Sequence, residues 1–94
     1  MSESHWLIKA TLQRIGLQAR GPAVPLAQGL ADQIPHFIAL GMPIENAIHE
    51  SVLIAIHSAQ VRAQHCVGNE RHALDDFIKT CWKIKSETEH LVNV

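Results

Sequence analysis

The stretch PIENAIHESVLIAIHSAQVRAQHCV, residues 43–67, decides how this chain folds. After Pro43 it contains neither proline nor glycine for twenty-four residues. Pro43 suits the first position of a helix, where its missing N–H costs nothing, and Glu45 suits the positive end of the helix dipole. Gly68 follows as a stop signal. The reading is one amphipathic helix of about 37 Å at 1.5 Å per residue.

Every fourth residue of this segment is small: Ala47, Ser51, Ala55, Ala59 and Ala63. Residues four apart form a ridge on a helix surface, and a ridge of small side chains acts as a groove that admits a second helix at short range. Ile44, Ile48, Val52, Ile54, Ile56 and Val61 stand on either side of it. The polar remainder is His49, Glu50, His57, Gln60 and Gln64, with Leu53 alone among them. A helix so widely apolar needs cover from more than one direction. The groove fits either a helix of the same chain or the same helix of a two-fold mate, and the sequence leaves both open.

Working outward, Gly68-Asn69 reads as a tight joint into a fourth helix, so that the third and fourth form a long antiparallel hairpin. Leu74, Phe77, Ile78, Cys81, Ile84 and Val92 mark the apolar side of the fourth helix. Lys85 and Thr88 fall within that side, which predicts poor packing beyond Ile84. Asp75 and Asp76 are expected to pair with Lys79 and Lys83 along the surface. Trp82 lies at the edge of the apolar face.

In the other direction, Leu26, Leu30, Ile34, Phe37 and Ile38 define a second helix ending at Gly41. Pro35 lies inside it and predicts a kink or a break. Residues 21–25 read as a linker, because Gly21, Pro22 and Pro25 punctuate them. Before it, residues 1–20 form a possible helical arm, capped by Ser4. Its apolar residues divide into two stripes, Ile8, Leu12, Ile15 and Ala19 against Trp6, Ala10 and Leu17. The expectation is a single all-α domain over residues 1–94, a small bundle of four helices.

Composition narrows the function. With 94 residues, the chain buries a thin core, and association is a natural way to gain buried area. The 47% hydrophobic content is that of a globular rather than a disordered chain. A formal net charge of −1 gives no steering towards nucleic acid or anionic lipid, so neither partner is expected. No segment reaches the roughly 18 apolar residues of a membrane span. The first residues lack the pattern of a secretory signal, and two cysteines are too few for a disulfide framework. A cytoplasmic protein with free thiols is expected.

Seven histidines make metal binding worth testing. His49-Glu50 begins like a zinc-protease helix, but the second ligand position holds Leu53. His65, Cys66 and His72 flank the hairpin joint and are weak metal candidates, since a closed zinc site needs four ligands. There is no phosphate-binding glycine loop, no nucleophile elbow and no CxxC pair. No catalytic residues and no cofactor are assigned.

What is left is an interaction protein. The expectation is a non-enzymatic, dimeric regulator that binds a protein partner through an exposed apolar helix face, as an inhibitor, antiactivator or adaptor. Trp6, Leu7, Leu17, Leu53, Ile56 and Trp82 are the expected partner contacts. Ala47, Ser51, Ala55, Ala59 and Ala63 are the expected line of closest helix packing. The alternatives are a small metal- or ligand-binding protein that uses the histidines, and a weak DNA-binding regulator.

Overall fold

The computed structural model describes residues 3–92, with side chains for residues 9–16 and 19–89. Four helices follow one another: α1 (Glu3–Gln18), α2 (Ala23–Ala39), α3 (Ile44–Ala63) and α4 (Gly68–Val92). No strand occurs among the described residues. The bundle measures 42 × 22 × 20 Å. Its long axis matches α4, whose 25 residues span about 37 Å.

α3 is the spine. It packs most extensively on α4 and next on α2, while α1 lies across α4, α2 and α3. The core is a single cluster in which Ile15, Leu30, Ile34, Ile48, Val52, Leu74, Phe77 and Ile84 are buried together. Fully burying each such side chain contributes about 1.5–3 kcal/mol, and most of them come from the i, i+4 rows that the sequence displays.

The α2–α3 corner is a Schellman turn. Gly41 takes φ +99°, Met42 N–H donates to Phe37 C=O at 3.1 Å, and Gly41 N–H donates to Ile38 C=O at 3.0 Å. Only glycine adopts that backbone without strain, so Gly41 ends α2 as the sequence indicates.

Several details differ from the sequence reading. α3 stops at Ala63 rather than Val67, and α4 is the longest helix. Gln64, His65 and Cys66 each donate to the carbonyl three residues back, which tightens the chain into a turn. The Arg71 guanidinium then reaches the Ala63 carbonyl at 3.2 Å and caps the helix from outside. The joint is therefore residues 64–67, with Gly68 at φ +63° leading into α4.

The linker is also shorter. α2 already begins at Ala23, so residues 23–25 are helical, and Pro25 falls in the first turn, where an N–H would have no partner. Further along, α2 is continuous through Pro35, so of the kink and the break that the sequence allows the break does not occur. The ring sits on the exposed side, where solvent can serve the carbonyl that loses its donor.

α4 stays packed past Ile84 as far as Thr88. Thr88 is 2% exposed, and its hydroxyl donates to the Ile84 and Lys85 carbonyls at 3.0 and 3.1 Å. A threonine that satisfies its own hydroxyl in this way sits in an apolar face at little cost. Finally, Asp75 and Asp76 pair with Arg71 and Arg20 instead of Lys79 and Lys83.

Candidate interaction surface

The row of small residues lies on α3, the helix that packs most extensively on its neighbours. Ala47, Ser51, Ala55, Ala59 and Ala63 are all buried within one copy of the chain. The groove is filled by the chain's own helices and leaves no room for a second copy. Ile56 is buried too, so it is a core residue and not a partner contact. Leu53 is half-buried. The side chains of Trp6, Leu7 and Leu17 lie outside the described ones.

Apolar surface remains exposed elsewhere. Ile54 and Val61 are 42% and 46% exposed on the outer side of α3. They lie seven residues apart and so share one stripe, with Glu50 and His57 between and beside them. Sequence reasoning assigned both residues to the walls of the groove. The seven-residue spacing was the signal that they share a different face. Beside Ile54 a crevice of about 190 Å³ opens between α2 and α3, lined by Leu26, Gly29, Gln33, Ser51 and Ala55 among others. Ser51 Oγ and Gln33 Oε1 are both buried at this seam with no hydrogen-bond partner.

Trp82 is the second exposed site, at 44%. The Lys85 ammonium lies 5.3 Å from its ring centroid, a cation–π contact, and also pairs with Glu89 at 2.5 Å. Three further acids of α4 are likewise engaged, Glu70 at its start being exposed and in no ion pair among the described residues. Asp75 pairs with Arg71 at 3.5 Å, Asp76 with Arg20 at 2.9 Å, and Glu87 with Arg14 at 2.6 Å. Arg14 forms a two-pronged contact, its other nitrogen lying 3.3 Å from the second Glu87 oxygen. These surface pairs each contribute under about 1 kcal/mol, but they fix where charge is spent. Lys79 and Lys83 are exposed and have no ion pair among the described residues.

The metal candidates are not gathered into a site. His65 and His72 are exposed and Cys66 is half-buried. Among the described residues, no three of His, Cys, Asp or Glu converge as metal ligands must. Cys66 and Cys81 are both free thiols. Burial pushes the Cys81 thiol up to about 12, which keeps it protonated and unreactive. No helix among the described residues is long and apolar enough to cross a membrane.

No protein-family model, curated protein or solved structure matches this chain.

Proposed function

We propose that this chain is a non-enzymatic interaction module, a dimeric regulator that engages a protein partner through helix surface its own fold leaves uncovered. The observation that supports it most is the outer stripe of α3, where Ile54 and Val61 stay exposed although α3 is the spine of the core. The stripe is self-complementary. If two α3 helices lie antiparallel about an axis between His57 and Ser58, Ile54 faces Val61 of the partner subunit, and Glu50 faces His65 of the partner subunit. A two-fold interface needs this reciprocity. In this reading the dimer contact is the neighbouring exposed stripe of the same helix and not the buried alanine row.

In this reading, α4 and Trp82 stay free for the regulated protein. Occupying a target's own helical groove then gives inhibition or antiactivation, and bridging two targets gives adaptor behaviour.

The test is the mass in solution, measured by light scattering across a concentration series. The expected result is twice the 10.4 kDa of the chain, falling to a monomer in Ile54→Glu and Val61→Glu with helicity intact. A parent protein that stays monomeric throughout the series would refute the dimer.

A further inference from the structure

The fold sorts the charge on α4, although the sequence shows that charge as nearly cancelled. Asp75, Asp76, Glu87 and Glu89 are each held by a cation, and two of those cations, Arg14 and Arg20, come from outside α4. Lys79 and Lys83 are left without a counter-charge among the described residues. They lie one turn apart, so their side chains are neighbours on the helix surface.

Trp82 stands beside both, three residues on from Lys79 and adjacent to Lys83. Its indole N–H has no acceptor among the described residues. Ile78, half-buried and one turn earlier, extends the apolar floor. Two ammonium groups and an indole N–H therefore lie within about 100° of one another around α4, and all three are donors that lack acceptors among the described residues. An exposed tryptophan ringed by donors is the composition of an interface anchor.

We infer that this patch docks an acidic segment of a protein partner, with carboxylates on Lys79 and Lys83 and an apolar side chain on the Trp82 ring. The inference rests on the interaction-module reading and adds the partner's chemistry. Charge selects the occupant. Two free cations suit a pair of carboxylates about one helical turn apart. They fall well short of the roughly six to ten phosphate contacts typical of duplex binding. A stable anchor on anionic lipid likewise takes a cluster of about four to eight basic residues.

The experiment uses the full chain in a Trp6→Phe background, so that tryptophan emission reports Trp82 alone. The probes are a Glu/Leu peptide, its Gln/Leu counterpart, a single-stranded oligonucleotide and phosphatidylserine vesicles. The expected result is a saturable emission change with the Glu/Leu peptide only. It weakens as salt rises and drops at least tenfold in Lys79→Glu/Lys83→Glu. Both lysines are exposed, so this variant should stay folded, with only a small drop in its melting temperature from the new like-charge neighbours on α4. Trp82→Ala, followed by calorimetry, should also lose the peptide. Equal binding by the charge-reversed variant, or stronger response to the oligonucleotide or the vesicles, would overturn the proposal. So would no saturable response to the Glu/Leu peptide. Light scattering on the same samples separates the two ideas: a dimer that ignores the acidic peptide defeats this inference and leaves the dimer standing.

Discussion

His49 on α3 donates from Nδ1 to Oγ1 of Thr88 on α4, across 3.1 Å. The direction follows from the threonine. Its single proton is already shared between the Ile84 and Lys85 carbonyls, so its oxygen is free only to accept. The ring nitrogen is therefore the donor in this contact. The contact also links the start of α3 to the end of α4, which is where the hairpin has to be held shut.

The first prediction comes from this pair. Thr88→Val keeps the shape and removes the acceptor, leaving a half-buried ring N–H unpaired. Destabilisation of about 1–3 kcal/mol is expected in urea unfolding. Thr88→Ser should recover most of it, since the hydroxyl is what matters. Equal stability of the valine variant and the parent would show that the contact carries no weight.

The seam between α2 and α3 carries the second prediction. Ser51 Oγ is buried without a partner, a state that costs about 1–3 kcal/mol. Serine also favours helix less than alanine does. Ser51→Ala should therefore raise the melting temperature, unusual for a change at a fully buried position. Ala59→Phe should do the opposite. Ala59 has no exposed surface, and a ring there overpacks the core at a cost of about 1–3 kcal/mol or more. Both are read from thermal melts. A destabilised Ser51→Ala would mean the hydroxyl is satisfied after all.

The alanine row was legible in the sequence because a four-residue repeat names a helix face directly. The helix that fills it was not, since periodicity says that a face is covered and never by which neighbour. The end of α3 was misread for a similar reason. Gln64 to Val67 holds no helix breaker, and the Arg71 side chain that caps the Ala63 carbonyl comes from α4. Thr88 looked misplaced because its hydroxyl turns back to the carbonyls of its own preceding turn, a local bond that hydropathy spacing ignores, and because its histidine partner comes from another helix. The free pair Lys79 and Lys83 was hidden in the same way: local spacing matched them to Asp75 and Asp76, while Arg20 and Arg71 took those acids instead. Ile54 and Val61 were visible as apolar residues, but the breadth of the apolar surface on α3 concealed that they point away from the core.

The third prediction concerns the two thiols. Cys81 is fully buried and Cys66 is partly open, so one thiol should react with Ellman's reagent in native buffer and two in denaturant. Burial also couples Cys81 to pH. Its thiol ionises near 9.0 when free and near 12 in the fold. In that interval the unfolded chain has released a proton that the folded chain still holds. Cys81 therefore contributes stability that is fully present below pH 9 and is lost as the pH rises towards 12. The loss is at most about 4 kcal/mol. Lysines titrate in the same range, so the measurement is the difference between the parent and Cys81→Ala in urea unfolding at several alkaline pH values. The gap between the two curves should change as the pH climbs, with the parent losing ground. A constant gap would mean that the thiol ionises equally in both states, and rapid native labelling of Cys81 would show that the α3–α4 core opens to solvent.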